Sequence, residues 1–196
     1  MSFSKRNLNK GFTLVELLVT ISIFVILTGV VLWNQTKFNS SILLTNLAYD
    51  TALTIRQAQT YGINVREFNG TGQFFPYGVH FETGVNSKSF ILFADLDNNG
   101  VYDGTPTDGL VSRYNIQRGN YVRTLCRVVR DPCSAGITSL AVNSLDIVFK
   151  RPNPDAHMKT TKLNTDYPSV MITLSSADGE SSRKVIVRDN GLIEVK

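Results

Sequence analysis

Apolar residues are concentrated in one uninterrupted run near the N-terminus. Residues 12–33 read FTLVELLVTISIFVILTGVVLW, and Glu16 is the one charged residue in the run. A helix of this length spans about 33 Å, which is enough to cross a hydrocarbon core of about 30 Å. The long helix of a soluble domain would normally show a polar face, which this run lacks. The pattern predicts a transmembrane helix over residues 12–33.

After Trp33 the pattern becomes amphipathic. Apolar residues recur three and four positions apart, which is typical of a helix with one buried face. The members of this stripe are Ile42, Leu43, Leu44, Leu47, Ala48, Ala52, Ile55 and Ala58. Residues 34–62 are therefore predicted to continue the first helix and to end near Gly62. Two helices with a break near residues 34–39 are the alternative.

From residue 63 onward, short β-like runs alternate with Gly, Asn, Asp and Pro, which predicts a β-rich soluble domain over residues 63–196. The predicted strands are Gly78–Glu82, Ser89–Asp95, Leu110–Asn115, Val122–Val129, Ser144–Lys150, Ser169–Ser175, Arg183–Val187 and Leu192–Val195. Asn190-Gly191 predicts a type I′ hairpin turn, and Pro152–Pro168 is predicted to be an exposed loop. The fold class is therefore α+β, with a long N-terminal helix, half transmembrane and half amphipathic, packed on an antiparallel β-sheet domain.

Composition narrows the function classes. The chain has 196 residues, of which 42% are hydrophobic and 18% charged, so it is long enough for one globular domain with an appendage. The net charge of +4 is too small and dispersed to indicate nucleic-acid binding by itself. The sequence contains no nucleophile elbow, zinc-protease helix, phosphate-binding loop or dinucleotide motif, and it is predicted not to be an enzyme. His80 and His157 are interpreted as structural because they lack metal-ligand spacing.

Residues 1–11, MSFSKRNLNKG, are polar and carry Lys5, Arg6 and Lys10 without any acid. Positive charge before the span places the N-terminus in the cytoplasm. A cleaved secretory signal is disfavoured because the apolar run exceeds the usual length of about 7–15 residues and no small-residue cleavage site follows it. A plain signal anchor is the remaining simple alternative.

Glu16 is the feature that a plain anchor does not explain. A carboxylate in an apolar span costs up to about 2.5–3.5 kcal/mol near the bilayer centre, and less toward an end, so a function is expected for it. A cut after Gly11 would give Phe12 a new α-amino group, four residues and one helical turn before Glu16. This amine and the carboxylate can then neutralise each other, within one chain or between neighbours.

Residues 10–19, KGFTLVELLV, resemble the prepilin signature of type IV pilins and type II secretion pseudopilins. The resemblance implies that a membrane prepilin peptidase cuts between Gly11 and Phe12 and N-methylates Phe12. It implies that Glu16 serves in subunit recruitment and packing. The implied partners are other pilin or pseudopilin subunits through the N-terminal helix, the prepilin peptidase and, before assembly, the inner membrane. The β-domain would then be periplasmic or extracellular.

The order of a long helix and antiparallel strands resembles the minor pseudopilins of the GspH/FimT family. Residues 93–100, FADLDNNG, followed by Asp103, resemble that family's acidic turn, and residues 179–195 resemble its closing hairpin. The resemblance implies a structural subunit of a type II secretion pseudopilus or a type IV pilus-like filament. Some members bind DNA through Gly-Arg-x-Arg in the last hairpin. Residues 191–194 read GLIE here, so this activity is not carried over.

The acidic turn also has the oxygen spacing of a calcium loop. Positions one, three, five and nine are held by Asp95, Asp97, Asn99 and Asp103, with Gly100 at position six. Pro106 replaces the glutamate of position twelve, and Asp108 is a candidate to substitute for it in a geometry other than that of an EF-hand. Calcium is therefore an optional cofactor, and none is required. A solvated β-turn held by Asx hydrogen bonds is the alternative.

Cys126 and Cys133 are the two cysteines of the chain, and residues 130–132 between them read RDP, which favours a turn. The predicted topology places both outside the cytoplasm, where disulfides persist. A disulfide between them is predicted, and two free buried thiols are the alternative.

A run of arginines, interleaved with tyrosines, follows the acidic loop. Its members are Arg113, Arg118, Arg123, Arg127 and Arg130. Basic residues with aromatics can hold the phosphates of DNA, so the second hypothesis is a DNA-binding minor pilin of a DNA-uptake pilus. A solvated strand face, or pairing with acidic neighbours in a filament, is the more common explanation.

Overall fold

The computed structural model describes residues 11–64, 66–70, 72–84, 87–128, 141–160 and 167–196, without the side chains of residues 33–38 and 141. The chain divides into two compact units, Met1–Ser40 and Ser41–Lys196. Helix α1, Leu14–Ile63, contributes to both units and ends one residue after Gly62, as predicted.

In the first unit, the part of α1 before residue 33 is almost entirely apolar. The span Leu14–Leu32 is long and apolar enough to cross a membrane, and none of it is buried within the chain. Its hydroxyl groups are satisfied inside the helix, because Thr20, Ser22 and Thr28 donate to backbone carbonyls three or four residues earlier at 2.8–2.9 Å. Such a helix presents few unpaired polar groups to lipid, and it fits a membrane anchor.

In the second unit, α1 buries one stripe against the strands. The buried members of the predicted stripe are Leu44, Leu47, Ala48, Ile55 and Ala58, and Thr51 is buried with them. Ile42 is 43% exposed, so its assignment to the buried face was wrong. The reason is rotational, since Ile42 lies two residues before Leu44 and therefore about 200° away around the helix.

The strands that follow are antiparallel and short. In the described residues they are β1 Tyr77–Glu82, β2 Ser89–Ala94, β3 Gly109–Asn115, β4 Tyr121–Arg127, β5 Ala141–Val142, β6 Ser144–Phe149, β7 Ala156–Lys159, β8 Ser169–Ser175, β9 Ser182–Arg188 and β10 Ile193–Val195. All eight predicted strands are present, with ends that differ by at most two residues.

The strands form two five-stranded sheets, ordered β3-β2-β1-β6-β7 and β10-β9-β8-β4-β5. Strand β1 pairs with both β2 and β6, whereas β8 pairs with both β4 and β9. Apolar residues of both sheets and of α1 form one core cluster, which includes Leu47, Phe81 and Ile172. The predicted α+β class with antiparallel sheets is confirmed.

Two predictions about the β-rich unit need correction, one about a loop and one about a turn. Strand β7 lies in the stretch that was predicted to be a loop, where pairing with β6 buries Ala156 and Met158. The closing hairpin forms, but Gly191 alone of the Asn-Gly pair takes a positive φ, 77°. Its N–H donates to the carbonyl of Arg188 at 2.9 Å. A type I′ turn needs positive φ at both central residues, so the turn is a longer one with Gly191 as its left-handed residue.

Candidate functional site

The start of α1 is closed by a ring of hydrogen bonds between Thr13 and Glu16. The Glu16 N–H donates to Thr13 Oγ1 at 3.2 Å. In return, the N–H and the hydroxyl of Thr13 both donate to Glu16 Oε2, each at 3.1 Å. The carbonyl of Thr13 accepts from Leu17, so Thr13 is the N-cap and Glu16 is the third helical residue. This arrangement is a capping box.

The capping box changes the expected geometry around Glu16. Phe12 was predicted to lie one helical turn before Glu16, but it lies outside the helix and is 84% exposed. An amine at Phe12 would be one peptide unit from the Thr13 N–H that Glu16 already accepts. Both of these hydrogen bonds from Thr13 are made to Oε2, so Oε1 is the oxygen that can bind a further cation. The carboxylate is also favoured in this first turn by the helix dipole.

The acidic loop that follows β2 is built around two buried carboxylates. Asp95 accepts the N–H groups of Asn99 and Gly100 at 3.1 and 2.9 Å. Asp108 accepts those of Leu96 and Asp103 at 3.3 and 2.7 Å. These bonds hold the loop closed, so the alternative of a turn held by Asx hydrogen bonds has direct structural support.

Asp97 joins Asp95 and Asp108 in a cluster whose carboxylate oxygens lie within 4.8 Å of one another. Burial raises the pKa of Asp95 to about 6 and also raises the pKa of Asp108, because the ionised forms lose solvation and repel each other. Three carboxylates with hard oxygen atoms suit Ca²⁺ chemically.

Asn99 and Asp103 are joined to this cluster by hydrogen bonds. The Asn99 amide donates to Asp97 at 2.9 Å and to Asp103 at 2.6 Å, while its oxygen accepts from the N–H of Val101 at 2.7 Å. The structure thus groups Asp108, the substitute ligand, with Asp95 and Asp97, and it links Asp103 through Asn99. The calcium site stays a prediction.

Residues 6–32 match the family model described as the prokaryotic N-terminal methylation motif. The match indicates a type IV pilin-like prepilin. No curated protein and no solved structure matches the chain. The motif covers the helix start with Gly11, Phe12 and the capping box, and proteins with it are generally structural and assemble with other pilins after processing by prepilin peptidase. The GspH/FimT subtype and the machine that this prepilin serves stay predictions.

Of the two cysteines in the predicted disulfide, the structure describes Cys126, which lies on β4. Cys126 is disulfide-bonded and buried, opposite Ala141 of β5 and Met171 of β8. Cys133 lies outside the described residues, and the pairing of these two cysteines stays a prediction.

The arginine run is divided between the two sheets. Arg113 is exposed on β3 of the first sheet, whereas Arg123 and Arg127 lie on β4 of the second. Arg118 is exposed in the turn between them, and Arg130 lies outside the described residues. The Arg127 guanidinium stands 5.9 Å from the ring centre of Tyr167, so a contact within the domain accounts for one of the five.

His80 and Asp146 form a buried, hydrogen-bonded pair that the sequence pattern did not predict. His80 Nδ1 lies 2.6 Å from Asp146 Oδ1, and the two residues face each other across β1 and β6. Burial by itself would lower the pKa of His80. The hydrogen bonds and charges of Asp146 and Glu82 outweigh this effect, so the pKa is raised overall. The signal was Asp146 itself, an acid inside the apolar run of β6. The pair lies within the pairing of β1 with β6, in agreement with a structural histidine.

Proposed function

We propose that this prepilin-like chain is a minor pilin or pseudopilin, a structural subunit of a type II secretion pseudopilus or type IV pilus-like filament. The observation that carries the proposal is the methylation motif at residues 6–32, which joins a basic leader to an exposed apolar helix with Glu16 in its first turn. In this function, prepilin peptidase cuts between Gly11 and Phe12 and methylates the new amine.

Before processing, the chain is held in the inner membrane by the apolar span Leu14–Leu32. Its N-terminus lies in the cytoplasm, because Lys5, Arg6 and Lys10 precede the span, and the β-rich unit faces the periplasm. Cleavage removes these three positive charges and lowers the formal net charge from +4 to +1. Removing them takes away the charges that oppose extraction of the helix from the membrane.

Filament assembly then gives the span a new environment. Its side chains are exposed within the chain, and outside the bilayer they would face water at a cost of about 25 cal/mol per Å² of apolar surface. Packing against the same helix of other subunits removes that cost. A pairing between the Phe12 amine and Glu16 removes the charge that would otherwise be left in the packed helices.

The test is the mass of the N-terminal peptide from protein recovered from cells that contain an active prepilin peptidase. We expect this peptide to begin with methylated Phe12. Gly11→Leu is the matched variant, and we expect its leader to be retained because a bulky side chain enters the slot that glycine occupies. Wild-type protein that still begins at Met1 beside an active peptidase overturns the proposal.

A DNA-binding minor pilin is the second candidate, and the exposure of Arg113, Arg118 and Arg123 favours it. Binding through these residues requires a gel mobility shift that weakens steeply between low and moderate salt, because counterions are released from the DNA. The absence of a shift at low salt excludes this function and leaves the structural subunit.

A further inference from the structure

The cleavage junction of the proposed processing reaction lies one residue before the capping box. Gly11, Phe12 and Thr13 are not helical, and α1 begins at Leu14. The Gly11–Phe12 bond is therefore separated from the helix by two residues, Phe12 and Thr13, and the Thr13 side chain is hydrogen-bonded to the helix end.

The hydroxyl oxygen of Thr13 accepts a hydrogen bond from the Glu16 N–H, a backbone donor that a longer helix would need for its own hydrogen bonds. If α1 were extended toward the leader, the Glu16 N–H would bond the carbonyl of Phe12, four residues earlier. In the structure this N–H donates to Thr13 Oγ1 at 3.2 Å instead. The Thr13 N–H, which would bond a carbonyl of the leader, donates to Glu16 Oε2 at 3.1 Å. The box thus satisfies locally two of the four N–H groups through which the helix would extend toward the leader, those of Thr13 and Glu16.

A helix that included Phe12 would be a poor peptidase substrate. Helical peptide units have their N–H and C=O groups paired within the helix, whereas an extended segment presents them to a binding cleft, as in strand addition. The sequence supplies no proline before Pro76 that would stop the helix at the leader. Gly11 and the capping box are therefore the local signals that keep the junction out of the helix.

We propose that Thr13 is a positioning residue for prepilin processing: its hydroxyl fixes the helix start at Leu14 and leaves the Gly11–Phe12 peptide bond free to bind the peptidase in an extended form. The inference rests on the proposed function. In the reaction, water adds its hydroxyl group to the Gly11 carbonyl carbon, the Gly11–Phe12 bond breaks, and the Phe12 nitrogen takes the proton. Thr13 takes no part in these bond changes.

The experiment measures the processing rate of the full-length chain in membranes that contain active prepilin peptidase, by the mass of the product over time. Thr13→Val keeps the shape of threonine without its hydroxyl, and Thr13→Ser keeps the hydroxyl. Thr13→Asn is a good N-cap of different shape. Glu16→Gln keeps a capping side chain but removes the charge. Equal amounts of each precursor in the membrane fraction show that insertion is unchanged.

We expect Thr13→Val to be processed about five- to tenfold more slowly than wild type, since an N-cap is worth about 1 kcal/mol. Ser, Asn and Gln variants at their respective positions are expected to remain within about twofold of wild type. The processing rates would then follow the capping ability of the side chain rather than its resemblance to threonine. A side chain with a merely structural role would not produce this order of rates.

Two results overturn the inference while wild type is processed normally. One is a Thr13→Val rate equal to that of wild type. The other is a Thr13→Asn rate as low as that of Thr13→Val, which would mean that the peptidase recognises the threonine side chain itself. A wild-type chain that is not processed at all overturns the proposed function first, so the two failures are distinguishable.

Discussion

The side-chain amide of Gln59 donates to the backbone carbonyl of Gly191 at 3.2 Å, and so ties α1 to the closing hairpin of the β-rich unit. The same amide donates to the carbonyl of Pro154 at 3.0 Å. Gln59 is buried, and its bond to Gly191 is buried with it, whereas its bond to the exposed Pro154 is partly buried. One polar side chain of the helix thus holds two segments that are distant in sequence.

Gly191 is the residue at which this contact is most sensitive. It has φ of 77°, and a Cβ there would lie 2.3 Å from the Pro154 carbonyl oxygen. We expect Gly191→Ala to lower the free energy of unfolding by about 2–4 kcal/mol, from backbone strain and steric overlap. Thermal unfolding of the full chain in detergent measures it. Gly179→Ala is the matched control, because φ is 74° there but the nearest atom is 4.0 Å away, and about 1 kcal/mol is expected. Equal losses would contradict the steric argument.

Tyr114 provides a second link between the helix and a sheet. Its hydroxyl donates to Asp50 Oδ2 at 2.7 Å, and its ring stacks on Phe90 with the ring centres 4.6 Å apart. We expect Tyr114→Phe to cost about 1 kcal/mol, since only the hydrogen bond is lost, and Tyr114→Ala to cost about 3 kcal/mol or more. Denaturant unfolding measures both. A Phe variant as unstable as the Ala variant would show that the ring contributes little.

The elements whose pattern is local were predictable from sequence. The β-runs separated by Gly, Asn and Pro gave eight strands within two residues of their ends, because alternation and turn residues act locally. Strand β7 has only four residues, and it forms because β6 offers it a partner, which a local pattern does not contain.

The candidate site shows the same division. Gly11 and Phe12 were predicted from the resemblance of residues 10–19 to a prepilin signature, and Glu16 was also singled out as a charge in an apolar run. The spacing of Thr13 and Glu16 is itself a capping signal, but Glu16 was interpreted only as a charge awaiting an amine. The partner of His80 could not be assigned, because Asp146 is 66 residues away and meets it only through strand pairing.

The buried carboxylates of the acidic loop give stability a defined pH dependence. The pKa of Asp95 is raised to about 6 in the folded protein, from an unfolded value of about 4. Between these values the folded state binds more protons, so the free energy of unfolding falls as pH rises, by up to about 1.4 kcal/mol per pH unit. The raised pKa of Asp108 acts in the same direction.

Denaturant unfolding between pH 4.5 and pH 7.5 measures this slope. Asp95→Asn is the comparison, and we expect it to flatten the difference between pH 4.5 and pH 6.5. The variant also loses one of the two acceptors for Asn99 and Gly100, so the slope and not the absolute stability is compared. A wild-type slope identical to that of Asp95→Asn would contradict the assignment to Asp95.

The calcium prediction can be tested by replacing single carboxylates of the acidic loop and measuring the stabilisation by Ca²⁺. Ca²⁺ bound with an affinity typical of extracellular modules should stabilise the folded chain by about 1.5–3 kcal/mol at 10 mM. The effect should be larger at pH 7.5 than at pH 5, since the ion competes with protons on Asp95. Asp108→Asn is expected to abolish the rise in Tm, and Asp103→Asn to leave most of it, because Asp108 lies in the carboxylate cluster. If the Tm of the wild type does not rise at millimolar calcium, the loop does not bind calcium and is a turn held by hydrogen bonds alone.

The charge of Glu16 and its capping role separate in two variants. Glu16→Ala removes both, whereas Glu16→Gln keeps an oxygen that can accept from the Thr13 N–H at the position now used by Oε2. We expect both variants to be cleaved, because Thr13 Oγ1 still accepts the N–H of residue 16. We expect both to yield at least about tenfold fewer filaments, since the Phe12 amine then lacks its counter-charge in the packed helices, a loss of about 1.4 kcal/mol or more per subunit. Filaments are counted by electron microscopy after shearing, at matched amounts of methylated subunit. Wild-type filament numbers from Glu16→Gln would show that the capping bonds, rather than the charge, are what assembly requires.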